Sequence, residues 1–339
     1  MWKQLSDGKK TALVLAGGGA RGAYEVGAIQ ALAEAGFEPA FVAGTSIGAL
    51  NGSMVAQETD LIAAGEMLGE AWHQLGDADI IRPDYWKIIG DLAMLVGASA
   101  SKGAQRIIVG ALPKLSRGQD RGYLDTGPVD ELLQRWVNPE RLRRGRDFWI
   151  AMTKLLSNTS FPFRHIVESA RAYSAKDVEY IEPGSLADEE LFSSLLASSA
   201  IPIAFPSQRV GSGSYLDGGI VDNVPIQAIR KFGCGLIVVI HLSNGSLWDR
   251  REFDELNVLE IRPTEEVQKE KGFKGWVDSL IDFQPESIER LRDMGKRDTQ
   301  TIVEDLKMTV DLHVDANKKR ARTLETTRAL IDDESLTDG

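Results

Sequence analysis

Short apolar runs bounded by glycine alternate with stretches of helical period over the first sixty positions. "TALVLA" (11–16) and "PAFVAG" (39–44) are continuous apolar runs of strand length, the signature of strands buried on both faces. Between them "AYEVGAIQALAEAG" (23–36) reads as a helix, with Gly36 where a left-handed cap falls. After the second run, "IGALNGSMVAQ" (47–57) reads as another helix. Strand, glycine loop, helix, strand, turn, helix is the opening of a parallel sheet covered on both sides.

The pattern breaks at about 77–122. That segment is apolar and dotted with glycine, and its basic residues (Lys87, Lys102, Arg106, Lys114, Arg117, Arg121) outnumber its acids. Two short amphipathic helices suit it, either as a cap completing the core or as a lid with a membrane-facing surface. Alternation then resumes. "TGPVDELLQRWV" is a helix with Pro128 in its first turn, and "DFWIAMTKL", "FRHIVES" and "VEYIE" have strand character. "DEELFSSLLASSAIP" is a helix stopped at Ile201-Pro202, and "GLIVVIHL" is the clearest buried strand. A charged amphipathic helix begins at about 284, and the last twenty or so residues are a highly charged tail. The chain is expected to form one domain over 1–315, with the insert at 77–122 and a charged tail over 316–339.

Composition narrows the partners. With 339 residues, 43% hydrophobic and 26% charged, the chain is long enough to bury a large core. The formal net charge of -11 argues against nucleic acid and supplies no long-range attraction to an anionic membrane. The single cysteine, Cys234, has no internal partner and sits before a buried strand, a structural setting. The apolar part of the N-terminal "KKTALVLA" is too short for a secretory signal. The uncharged run Pro39–Gln57 contains glycines, serines, a threonine and an asparagine, and reads as strand, turn and helix rather than a membrane span. The expectation is a cytoplasmic protein with neither signal peptide nor transmembrane helix.

Three motifs carry chemistry. Gly44-Thr45-Ser46-Ile47-Gly48 is a G-x-S-x-G elbow, with Ser46 at the tip of a strand-to-helix turn and glycines two positions either side where side chains would clash. Gly17, Gly18, Gly19, Ala20, Arg21 and Gly22 form a glycine loop that fits the dinucleotide pattern G-x-G-x-x-G literally. The acid which that fold needs at the end of the second strand is missing, since Glu38 precedes the strand. The loop is better read as an oxyanion hole of bare N–H groups. Arg21 either orients the loop, meets a phosphate headgroup, or makes a surface salt bridge. In "YLDGGIVDNVP" (215–225), Asp217 ends a short strand, and Gly218 and Gly219 let another chain segment approach closely. Taken alone, Asp217 is equally a turn aspartate. Asp222 and Asn223 resemble a helix cap.

The ordered set "LAGGGARG", "GTSIG" and "DGG", with "ASSAIPIAFPS" before the last, resembles the patatin-like phospholipases over about residues 11–240. "DFQPESIERL" is also similar to the helix that closes many bacterial members. The resemblance implies a three-layer α/β/α sandwich with a mainly parallel sheet and a lipid or phospholipid substrate met at a membrane surface. It also implies acyl-ester hydrolysis by a Ser–Asp dyad, without metal or organic cofactor. Carried over, Ser46 is the nucleophile, Asp217 the base, and the Gly17–Gly22 loop the oxyanion hole. Ala16 stands where plant members carry an acid, a departure that bears on substrate scope.

A Ser, Asp, His order would instead require a histidine after Asp217. His241, at the end of "GLIVVIH", is the candidate, with strand capping as its plainer role. His73 reads as helix surface, His165 lies within a strand and His313 near the charged end; no pair has metal-ligand spacing. Three functions remain open on sequence: a dyad lipid acyl hydrolase, a Ser-Asp-His esterase, and an inactive lipid- or protein-binding scaffold.

Overall fold

The computed structural model describes residues 1–77, 127–155, 177–200, 207–243, 248–265 and 282–334, with 267, 275 and 278–280. Apart from its first residue, the insert expected at 77–122 lies outside the described residues. So do the strand expected at 163–169, with His165, and the Ile201-Pro202 stop.

The described strands are β1 (Thr11–Leu15), β2 (Phe41–Gly44), β3 (Asp147–Lys154), β4 (Val178–Ile181), β5 (Gln208–Val210), β6 (Gly213–Asp217), β7 (Leu236–Ile240) and β8 (Val258–Ile261). They form one sheet in the order β5-β6-β3-β2-β1-β7-β8, with β4 also paired to β3. The centre is parallel, β3 to β2 to β1 to β7 to β8, and β4, β5 and β6 add antiparallel strands on one side. The described helices are α1 (Trp2–Leu5), α2 (Ala23–Glu34), α3 (Ile47–Gln57), α4 (Leu61–Asp77), α5 (Gly127–Trp136), α6 (Pro139–Arg144), α7 (Asp188–Ser198), α8 (Ile226–Arg230) and α9 (Pro285–Glu334).

Every residue of β1, β2 and β7 is buried. Successive side chains of a strand point to opposite faces, so both faces of the sheet are covered. This is the α/β/α arrangement that the apolar runs predict. The core is continuous from Leu13 and Leu15 through Ile29, Phe37, Phe148 and Ile150 to Val238 and Ile240. Each such side chain contributes roughly 1.5–3 kcal/mol of burial. Among the described residues no helix is long and apolar enough to cross a membrane.

Two long-range features fix the frame. The Arg146 guanidinium donates to the carbonyls of Pro39 (2.9 Å), Val55 (2.8 Å), Glu58 (2.5 Å) and Thr59 (3.4 Å), and to Glu38 Oε2 at 2.6 Å. One side chain thereby closes the C-terminal end of α3 and the entrance to β2. The second feature is the crossing of α2 and α9, where a Cβ on Gly27 would stand 1.8 Å from the Arg292 carbonyl oxygen, and one on Gly295 2.0 Å from that of Tyr24. The helices meet backbone to backbone, and Tyr24 Oη donates to Asp298 Oδ2 at 3.0 Å nearby. Beyond this crossing α9 runs unbroken through residues 316–334, which the charge pattern suggests as a tail.

A methyl group at Gly27 has only backbone to push against. Gly27→Ala is expected to lower unfolding stability by about 1–3 kcal/mol or more, measured by urea denaturation.

Candidate active site

Ser46 joins β2 to α3 with φ 56° and ψ -126°. Asp7 is the one other non-glycine residue at positive φ among those described. Such a backbone costs of order 1–3 kcal/mol and persists only where its surroundings force it. The flanking glycines supply that force. A Cβ on Gly44 would lie 2.2 Å from Gly48 O, and one on Gly48 2.5 Å from Leu15 O. The turn is therefore packed against its own helix and against β1. Ser46 N donates to Ser198 Oγ at 3.0 Å, and Ser198 Oγ donates to Ala151 O at 2.8 Å, so α7 also braces the elbow.

Sheet pairing delivers Asp217. Gly44 at the end of β2 pairs with Ile150, and two residues along β3 Met152 pairs with Asp217. The Ser46 side chain favours the charged form of the Asp217 carboxylate, and Gly219 N donates to Asp217 Oδ1 at 2.7 Å. Asp217 is buried, and burial pushes its carboxyl up to about 6 against the opposing pull of these two groups. A Cβ on Gly218 would meet Ala151 O at 2.3 Å, and one on Gly219 would meet Asp217 Oδ1 at 3.0 Å. Both glycines are needed for this close approach.

The glycine loop closes over the same point. Gly17 N donates to Asn223 O and Asn223 Nδ2 donates to Gly17 O, both at 3.1 Å. A Cβ on Gly17 would lie 3.2 Å from Ser46 Cβ, one on Gly18 would strike Leu242, and one on Gly22 would strike Ile47 and Trp72. Gly19 has φ 58° and abuts the Leu280 carbonyl, while Ala20 is fully buried. Among the described residues, the N–H groups of Gly18 and Gly19 have no protein acceptor.

Arg21 corrects one expectation. It is 3% exposed and donates to Ser279 Oγ through Nε at 2.9 Å and Nη2 at 2.6 Å. Burial lowers its pKa to about 10, so it stays charged. Its side chain is buried behind the loop and does not lie at the surface. Asp222 and Asn223 are likewise not helix caps, since α8 begins at Ile226 after Pro225. Asp222 instead accepts from Tyr180 Oη (2.5 Å) and from Val224 N, and its carbonyl accepts from Thr45 Oγ1 at 3.0 Å. These two residues fasten the aspartate segment to the elbow and to the glycine loop.

Sequence reading did not single out the brace behind the site. Asn51 Nδ2 donates to Gly22 O (3.2 Å) and Glu25 Oε2 (2.8 Å), and Asn51 Oδ1 accepts from Trp72 Nε1 at 2.9 Å. Glu25 is fully buried, and desolvation holds its pKa well above the usual carboxylate range. No local pattern marks this set, because its members come from three helices.

His241 directly follows β7 and is buried. Its Nε2 lies 3.0 Å from Glu260 Oε2 but is not aligned to hydrogen-bond it. Burial, then the Arg262 charge, lowers its pKa to about 3, so the imidazole is neutral and the pair is not ionic. Its described contacts are Glu260, Trp248 and the Ile261 backbone, not Ser46 or Asp217. His73 and His313 are exposed on α4 and α9. Cys234 is half-buried, and burial raises its thiol to about 11.

A strained serine, a buried carboxylate and a glycine loop brought together by β2, β6 and β1 can now be compared with known proteins. Residues 13–229 match the family model described as Patatin-like phospholipase. The chain belongs to the patatin-like phospholipase family. Among the relatives of this patatin-like chain are two yeast proteins named Lysophospholipase NTE1. That of Saccharomyces cerevisiae is 28% identical over 247 residues, covering 73% of this chain and 11% of the relative. That of Kluyveromyces lactis is 28% identical over 243 residues, covering 72% and 13%. This patatin-like chain thus spans about a tenth of the length of those relatives. Among solved structures, VipD from Legionella pneumophila is 14% identical with a TM-score of 0.35, covering 84% of this chain and 67% of that one.

The raised pKa of Asp217 has a consequence for stability. The unfolded chain loses this proton near 3.8, whereas the folded chain keeps it to about 6. Between those values the unfolded state binds fewer protons, so stability falls as pH rises, and above about 6 the penalty is complete. Asp217→Asn is therefore expected to be more stable than wild type at pH 8, by up to roughly 2–3 kcal/mol. The gain should vanish below pH 4, as read from thermal melts across that range.

Proposed function

We propose that this patatin-like protein is a serine acyl hydrolase that cleaves fatty-acyl esters of lipids, of the phospholipase A or lysophospholipase type. Ser46 and Asp217 act as its dyad. The observation that carries this reading is a serine held at φ 56° beside a carboxylate whose burial raises it to about 6 and whose charged form that serine favours. A carboxylate of that pKa is mostly ionised at neutral pH and is a stronger base than an exposed aspartate. The name lysophospholipase carried by the yeast relatives supports a lipid ester as substrate.

Asp217 takes the Ser46 proton as Oγ attacks the ester carbonyl carbon. The carbonyl oxygen becomes an oxyanion and is held by N–H groups of the Gly17–Gly22 loop, with Gly18 and Gly19, whose N–H groups have no acceptor among the described residues, as donors. The start of α3 adds positive potential beside Ser46. The carbon–oxygen bond to the leaving alcohol breaks, and Asp217 returns the proton to that oxygen. Water then gives its proton to Asp217, attacks the acyl-serine, and releases the fatty acid with Ser46 reprotonated. No step needs a metal or an organic cofactor, and the lipid is reached by transient contact with its surface.

Hydrolysis of p-nitrophenyl esters and of lysophosphatidylcholine tests this. Ser46→Ala is expected to be inactive, and Asp217→Asn to lose roughly 10²–10⁴-fold in kcat/KM. His241→Gln should stay within a few-fold of wild type. The wild-type kcat/KM should rise with pH to a plateau, with its midpoint near 6. A folded but inactive His241→Gln protein would replace the dyad with a triad, and a wild type inert on every ester would leave only lipid binding.

A further inference from the structure

α9 is held by the body over its first turns and then leaves it. Ile288, Leu291, Met294 and Val303 are buried, whereas from Asp311 to Thr327 every residue except the half-buried Val314 is exposed. That is about 25 Å of helix with little protein against it among the described residues. Isolated helices are marginal in water, because most helical stability comes from a packed face.

The exposed part is not polar all round. Val310, Asn317 and Leu324 recur every seven residues, and with Leu306, Val314 and Ala321 they fall within about 100° of arc. Leu324 is 57% exposed. The opposite side carries exposed Met308 and Leu312, but Asp315 and Lys319 follow them, so no stripe continues there.

Charge is segregated along the same axis. Residues 304–315 hold Glu304, Asp305, Asp311 and Asp315 against a single Lys307. Residues 318–328 hold three arginines and two lysines against Glu325. We infer that this distal half of α9 pairs antiparallel with the same helix of a second copy of the chain, with the two-fold axis at Asn317. Each acidic stretch then lies opposite a basic one, Val310 faces Leu324 of the second copy, and the two Asn317 side chains meet at the axis. A polar residue at one core position sets register at some cost in stability. Parallel pairing stacks acid on acid and base on base, which is repulsive. An anionic bilayer matches only the basic stretch and repels the acidic one, whereas antiparallel pairing satisfies both.

Sedimentation velocity on the full chain decides the matter. Wild type is expected to be dimeric at low salt and to weaken as salt rises. Two variants reverse one stretch each: Lys318→Glu with Lys319→Glu and Arg322→Glu, and Asp311→Lys with Asp315→Lys. All five sites are exposed, so folding is unaffected, with circular dichroism as the check. Each variant alone should dimerise at least roughly tenfold more weakly, and their equimolar mixture should recover the dimer. A monomeric wild type overturns the proposal, as does a dimer indifferent to both variants. So does a monomer that co-sediments with phosphatidylserine vesicles only while Lys318, Lys319 and Arg322 are intact; the bilayer is then the occupant.

Discussion

The antiparallel pairing of β6 with β3 sets Asp217 beside Met152, two residues past the point where β3 leaves Gly44 of β2. That register turns a separation of about 170 residues in sequence into proximity between Ser46 and Asp217. A slip of one position would send the carboxylate to the other face of the sheet. The register is secured on both sides of the aspartate, by Thr153 Oγ1 donating to Asp217 O at 2.9 Å and by Asp217 N donating to Ala200 O at 3.1 Å. The remaining geometry at Ser46 depends on this placement.

Two costs are concentrated at that point, the positive φ of Ser46 and the burial of a carboxylate near pKa 6. Both are tolerated because the surroundings are stiff. α3 packs with small side chains and every one of its residues is buried. Asn51 ties that helix to the glycine loop and to a buried Glu25, and Asn223 ties the loop to the aspartate segment. Such stiffness keeps Ser46, Asp217 and the glycine loop in fixed relation.

The parts legible in the sequence are those dictated by neighbours in the chain. Gly44 and Gly48 follow from the sharpness of the turn, and Gly218 and Gly219 from close backbone approach. The runs of β1, β2 and β7 follow from burial on both faces. What escaped was set by distant contacts. Asp222 and Asn223 before Pro225 satisfy a local capping rule, yet Tyr180, Thr45 and Gly17 claim them. The sequence leaves three roles open for Arg21, and only the contact with Ser279, over 250 positions away, shows that it lies inside. The distal charges of α9 suggest a tail in solvent; they do meet solvent, without ending the helix. The short strand β8 carries too few residues to show a period.

Arg146 binds the carbonyls that end α3 and those that open β2, from a position one residue before β3 begins. The helix that carries Ser46 and the strand that receives Asp217 are thus clamped to one guanidinium at the end of the sheet away from the chemistry. Ser46 and Asp217 therefore hang from one anchored frame rather than from separate arms.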